Sequence, residues 1–366
     1  MKVLHIIDTL GPGGAQILLK DLFENQKLNP NIYLFCLRKT KLINNIEHHN
    51  IFVFNSHSKY SFKPLFTIKK EIEKYEIDIL HCHLFRSQVF GYLIKLFFHS
   101  KLKLIFHEHG QILGSETGSK IEDLIFKNFL RFVKRRVDSF IAVSQKVHIS
   151  LKNKTKITEN KIKTLYNFIN LKQINLKIQS IEQRQDLLMK NTPFVLGFAG
   201  RIIMGKGWKD LLNSINFIEN KNLKILIAGT GEESKSLIAE IDKRKISEKV
   251  KYLGYVHDMH TDFYPNIDCL IIPSHKEALG IVALEAFAHN KPVIASNIDG
   301  LNEIVIHNKN GLLFKVKDVK DLSQKIQMLL NDKGLREKLM LQATEDVKMF
   351  DIIQYLNELE KLYKKL

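Results

Sequence analysis

The sequence is poor in the residues that staple a chain, clamp a metal or cross a membrane. Its 366 residues include three cysteines, Cys36, Cys82 and Cys269, in no Cys-x-x-Cys or Cys/His ligand spacing. That excludes a disulfide framework and a structural zinc site, and points to a reducing compartment. No Asp-x-Asp triplet occurs, which removes the usual carboxylate clamp for a metal-bound phosphate ligand. No apolar run approaches the roughly 18 to 20 residues of a membrane-crossing helix, and the run from Val89 to Phe98 is broken by Lys95. The opening Met1 to Asp8 is too short an apolar run for a signal peptide and reads as a buried first strand. Acidic residues are also scarce: the formal net charge is +17, of which residues 1–180 carry +15 and residues 181–366 only +2. No nucleic-acid recognition motif accompanies that charge, so nucleic acid is not expected as a partner.

What is present is core material, 45% apolar against 26% charged residues, in a chain too long for one compact core. Short apolar runs alternate with helical-period segments throughout, the pattern of a parallel sheet covered by helices. Strands are expected at 2–7, 32–37, 52–54, 79–83, 103–107 and 139–143, then at 194–199, 224–228, 250–254, 269–272, 292–295 and 311–314. The fold class is therefore α/β, with two doubly wound Rossmann-type domains facing a cleft where ligands bind. The expected division is 1–170, a polar linker at 171–192, a second domain at 193–350 and a C-terminal helix at 351–366. The basic charge concentrates between Lys120 and Arg136, where Lys127, Arg131, Lys134, Arg135 and Arg136 interleave with Ile121, Leu124, Ile125, Phe126, Phe129, Phe132 and Val133. A basic amphipathic helix of this kind suits an anionic membrane surface; the alternative is a core-packed helix with a solvated basic face.

Six motifs lie at or just after strand ends. Gly11-Pro-Gly-Gly-Ala-Gln16 brings Gly13 and Gly14 to the start of a helix, but lacks the third glycine of the dinucleotide fingerprint. His107-Glu-His109-Gly110 has two alternating histidines and no third ligand nearby, so His109 is expected to hydrogen-bond a sugar, with a structural role as the alternative; His81-Cys-His83 is expected to be structural. Gly200-Arg-Ile-Ile-Met-Gly-Lys-Gly207 matches a P-loop until Gly207, which stands where the magnesium-binding Ser or Thr is required. Arg201 and Lys206 can still face a diphosphate. Gly229-Thr-Gly231 adds a flexible turn. In Pro273-Ser-His-Lys-Glu-Ala-Leu-Gly-Ile-Val-Ala-Leu-Glu285, a helix starting near Leu279 or Gly280 would offer unpaired N–H groups to phosphates. Glu277 and Glu285, about 12 Å apart along such a helix, would each meet a sugar; an ordinary amphipathic helix also accounts for the pair.

These motifs, with Pro292-Val-Ile-Ala-Ser, Gly300-Leu-Asn-Glu-Ile-Val305 and Asn310-Gly-Leu-Leu-Phe314, resemble the retaining GT-B glycosyltransferases that include the glycosyl transferases group 1 family. The resemblance covers nearly the whole chain, is strongest in its second half, and implies that the C-terminal helix at 351–366 returns to the first domain. It implies transfer of a sugar from a nucleoside-diphosphate sugar to a glycan or lipid-linked acceptor, with retention and without a metal or other cofactor. The setting it implies is cell-surface polysaccharide or glycoconjugate synthesis by a cytoplasmic enzyme, peripheral on the membrane. It further implies that Arg201 and Lys206 hold the diphosphate, Glu277 the transferred sugar and Glu285 the ribose. Backbone amides of Leu279, Gly280, Ile281 and Val282 would assist at the phosphates, Tyr255 and Val256 would lie near the base, and His109 and Gly14 near the reacting sugar. Ala278 and Leu279 depart from the small residue and phenylalanine usual in the family, which leaves the sugar preference open. Two other classes share the architecture: a sugar-nucleotide 2-epimerase, which needs no acceptor, and a non-catalytic subunit of a glycosylation complex.

Overall fold

A computed structural model describes residues 1–11, 13–25, 29–38, 50–54, 61–110, 120–182, 193–219 and 222–366. The chain divides into two compact units, one of Met1–Phe168 with Ile352–Leu366, the other of Ile169–Asp351.

The first unit is built on a parallel sheet of β1 (Val3–Ile7), β2 (Ile32–Cys36), β3 (Ile51–Val53), β4 (Ile79–His83), β5 (Lys103–Glu108), β6 (Ser139–Ala142) and β7 (Ile162–Thr164). Their spatial order is β3-β2-β1-β4-β5-β6-β7. β1, β2, β4 and β6 are buried along their whole length, which is why their sequences are near-continuous apolar runs. The chain runs outward from β1 to one edge and from β4 to the other, so the strand order reverses between these two. In such sheets that reversal opens a crevice at the carboxyl ends of the strands. The helix Ile352–Lys364 belongs to this unit, burying Ile352, Tyr355, Leu359 and Tyr363 along one face. The Tyr355 ring packs 4.5 Å from that of Phe168.

The second unit has β8 (Phe194–Ala199), β9 (Leu223–Ala228), β10 (Val250–Gly254), β11 (Cys269–Ile272), β12 (Val293–Ser296) and β13 (Leu312–Phe314), all parallel, in the order β10-β9-β8-β11-β12-β13. Its reversal lies between β8 and β11. Leu196, Phe198, Trp208, Leu211, Ile225, Ile271 and Leu322 lie in its core.

Two expectations need correction. β7 has no counterpart among the expected strands, since Ile162-Lys-Thr164 is only three residues long and carries one buried apolar side chain. Leu171–Glu182, expected as linker, is a helix of the second unit. Its polar composition hides a cap and a buried contact: Asn170 Oδ1 accepts from Gln173 N at 3.0 Å, and Ile174 is 3% exposed. Lys177 Nζ, on the same helix, pairs with Asp258 at 2.6 Å. The remainder of the expected linker, 183–192, lies outside the described residues.

Candidate active site

In the second unit the expected residues gather at the reversal. β8 ends in Gly200-Arg201, and the following turn returns through Met204–Lys206 to Gly207. Gly207 has φ +69°, and a Cβ there would stand 1.9 Å from the Pro273 carbonyl oxygen, so only glycine fits. That close approach carries the turn against the end of β11, where His275 N donates to Gly205 O at 2.8 Å. Lys206 Nζ thereby lies 2.5 Å from Glu277 Oε1, with side chains only 14% and 12% exposed. Ser274 Oγ donates to the same Glu277 oxygen at 3.0 Å. His275 Nε2 lies 2.7 Å from Asp210 Oδ2, tying the β11 loop to the helix Trp208–Ser214. Leu279 and Gly280 then lead into the helix Ile281–Ala288, which Gly280 caps with φ +88°. Its first amides, including Ile281 and Val282, have no acceptor within the helix. On the other side of β8, Gly229 N donates to Gly254 O at 2.7 Å, which sets the loop of Tyr255 and Val256 beside the Gly229-Thr-Gly231 turn. Tyr255 is exposed and Val256 half-buried.

The first unit presents its own set at the ends of β1, β4 and β5. Gly13 and Gly14 start the helix Gly14–Asn25, with Ile17 N donating to Gly13 O at 2.9 Å. Asp8, just after β1, pairs with both Arg38 and Arg86, the latter at 2.5 Å. His109, just past β5, is half-buried, and its Nε2 lies 2.9 Å from His83 Nδ1. Burial holds the His109 ring neutral, with its pKa lowered to about 4.

The family described as Glycosyltransferase Family 4 matches residues 12–173, and Glycosyl transferases group 1 matches residues 179–346. HepE of Anabaena, solved with UDP-glucose, superposes over 100% of both chains with a TM-score of 0.83 at 21% identity. The chain is a GT-B glycosyltransferase. Among its relatives, an alpha-1,3-N-acetylgalactosaminyltransferase of Campylobacter jejuni that acts on N,N'-diacetylbacillosaminyl-diphospho-undecaprenol is 29% identical, over 83% of this chain and 81% of its own. The N-acetyl-alpha-D-glucosaminyl L-malate synthase of Bacillus anthracis is 26% identical, over 89% and 86%.

In this glycosyltransferase Lys206 and Glu277, assigned from sequence to different parts of a ligand, are partners of each other. The helix begins at Ile281, so half of the Glu277–Glu285 interval is loop and the helical spacing expected for the pair does not hold. Glu285 is itself engaged: Tyr264 OH donates to its Oε2 at 2.5 Å, and burial together with that carboxylate pushes the Tyr264 pKa well up. The Leu279 side chain is 1% exposed, which leaves only its backbone to meet a ligand. Sequence reasoning missed Tyr264, Ser274 and the Asp210–His275 pair, for which no local spacing signals the partner. It also missed the ligand-like company of His107 and His109: three further histidines, His5, His81 and His83, arrive from β1 and β4. The register signals them, since His5 pairs with His81 and His83 with His107 across adjacent strands.

Proposed function

We propose that this glycosyltransferase moves a sugar from a nucleoside-diphosphate sugar to a glycan or lipid-linked acceptor, with retention at the anomeric carbon and no metal. The observation that carries the reading is the Lys206–Glu277 pair, nearly buried at the strand reversal and one turn before the N-terminus of a helix. A cation and free backbone amides together suit a diphosphate, and a carboxylate beside them suits sugar hydroxyls. Arg201 and Lys206 stabilise the departing nucleoside diphosphate, the role a metal fills elsewhere. Glu277 holds the transferred sugar. Glu285, whose Oε2 accepts from Tyr264, meets the ribose, with Tyr255 and Val256 near the base. Gly13, Gly14 and His109 serve the reacting sugar. HepE, with its bound UDP-glucose, and the Campylobacter jejuni relative, with its undecaprenol-linked acceptor, support both substrate classes.

A membrane-borne acceptor has support of its own. On the helix Lys120–Val133, Leu130 and Val133 are buried, while Ile121, Leu124, Ile125 and Phe132 are 71%, 53%, 54% and 73% exposed. With Arg131, Arg135 and Arg136 nearby, that apolar stripe suits insertion among anionic headgroups better than a merely solvated face. No described helix is long and apolar enough to cross a membrane.

The test is an assay against a panel of nucleotide sugars, each with and without undecaprenyl-diphosphate-linked acceptors. Acceptor-dependent release of nucleoside diphosphate that persists in EDTA, with an axial-to-axial product by NMR, is expected. Epimerised donor in the absence of acceptor would make the chain an isomerase, and full activity in folded Lys206→Ala and Glu277→Ala variants would refute the site.

A further inference from the structure

Five histidines of the first unit, His5, His81, His83, His107 and His109, and one residue of the C-terminal helix connect in a single line. His107 Nδ1 lies 3.1 Å from His81 Nε2, and His81 Nδ1 lies 2.7 Å from Tyr363 OH. Tyr363 OH lies 3.2 Å from His5 Nε2, His5 Nδ1 3.0 Å from His83 Nε2, and His83 Nδ1 2.9 Å from His109 Nε2. Two ring nitrogens are left over, His107 Nε2 and His109 Nδ1, both buried and without a partner among the described residues. They are the two ends of the line.

A neutral imidazole has one donor and one acceptor nitrogen, and a tyrosine hydroxyl can both donate and accept. Burial lowers the pKa of all five rings, to about 3 for His5 and about 4 for His109, so the line is neutral at physiological pH. Every imidazole link joins a δ nitrogen to an ε nitrogen, and the hydroxyl joins His81 Nδ1 to His5 Nε2. The line can therefore be filled with hydrogens in only two ways. Either all five rings carry hydrogen on Nδ1, or all five carry it on Nε2.

We infer that His5, His81, His83, His107, His109 and Tyr363 form one hydrogen-bonded chain with a single shared tautomer, so that Tyr363 and the buried histidines are positioning residues for His109. In one state His109 Nδ1 is a donor, as a ligand oxygen that only accepts requires. In the other it is an acceptor for a hydroxyl. The value of this to catalysis rests on the reading above that His109 faces the reacting sugar.

The same rings bring nitrogens within 4.8 Å of one another in two groups of three, which raises a metal as the alternative. Zinc bonded at about 2.0–2.1 Å sets two tetrahedral ligand nitrogens about 3.3 Å apart. The linked nitrogens here are at 2.9–3.1 Å, the distance of a hydrogen bond. A neutral filled line also always leaves hydrogen on one of its two ends, so His107 and His109 cannot both offer lone pairs without expelling a proton.

The experiment is long-range 1H–15N correlation on the full chain labelled with 15N-histidine, at pH 7 and without ligand. One common tautomer for the five rings is expected, all neutral. In Tyr363→Phe the His81–His107 pair should show a second set of tautomer signals while His5, His83 and His109 still share one. Mixed tautomers in the unchanged chain, a doubly protonated ring among the five, one equivalent of metal by elemental analysis, or no change at His81 and His107 in Tyr363→Phe would each overturn the inference. Should that variant not fold, the pattern in the unchanged chain decides alone. No substrate enters this measurement, so its failure leaves the transfer reading standing, and failure of the transfer assay leaves the tautomers untouched.

Discussion

Replacing Glu277 by glutamine should separate binding from transfer. The Lys206 ammonium has a carboxylate at 2.5 Å, with both side chains nearly buried. An incoming diphosphate must share that lysine and also meets the Glu277 charge. Repulsion between unit charges over roughly 6–8 Å at an effective dielectric near 20 amounts to about 2–3 kcal/mol, part of it relieved by solvent and by movement of the lysine. A net gain of about 1 kcal/mol, or roughly fivefold tighter nucleoside diphosphate, is therefore expected for Glu277→Gln. Transfer should nevertheless slow by about 10²–10³-fold, because the amide is a weaker acceptor for a sugar hydroxyl in the transition state. Lys206→Met should weaken the same ligand, and the double variant should bind much as the unchanged chain does, since the two substitutions act on one pair. Calorimetry with the nucleoside diphosphate that gives the largest thermal shift, alongside single-turnover transfer, reads both quantities. Weaker or unchanged binding by Glu277→Gln would show that the carboxylate does not oppose the diphosphate.

Burial lifts the Glu108 carboxyl from 4.5 to about 7, so the folded chain keeps a proton there that the unfolded chain has released. Stability from this group is full below 4.5 and is lost as pH rises to 7; Glu108→Gln, which keeps the Gln88 contact, should gain about 2–3 kcal/mol at pH 8 and progressively less toward pH 5 in urea titrations. The five linked histidines act in the opposite direction: their pKa values fall below 6.5, so stability is full above that pH and is lost as pH drops toward 4, and a urea midpoint that stays flat between pH 6.5 and 5 would contradict those lowered values. Gly207→Ala should destabilise the second unit by at least about 2 kcal/mol, whereas Gly205→Ala, with nothing within 4 Å of the new methyl, should stay within about 0.5 kcal/mol. Ile121→Ser with Phe132→Ser should reduce co-sedimentation with anionic vesicles at low salt while leaving the melting temperature unchanged, because both side chains are exposed.

The strand positions were largely legible because a parallel sheet demands short runs buried on both faces, and Ile79–His83 is buried at every position. β7 escaped because three residues at a sheet edge carry too little pattern, and the helix after Asn170 because its lysines, glutamines and asparagine read as a polar linker. Arg201, Lys206 and Glu277 stood out through residue type at strand ends. Their pairing did not, because it depends on how far Gly207 lets two loops approach, a distance no spacing encodes. The histidine line was divided among β1, β4, β5 and the last helix, and each His-x-His pair alone looked like a weak or structural motif. Only strand register brings them together.

The second unit is an insertion: Ile169 N bonds Phe350 O at 2.9 Å, so the chain departs from and returns to the first unit at neighbouring points. During synthesis, then, the first unit is begun first and finished last. His81 emerges 282 residues ahead of the Tyr363 hydroxyl that it will contact. Until the helix Ile352–Lys364 docks, His81 Nδ1 and His5 Nε2 must keep water or forgo a partner.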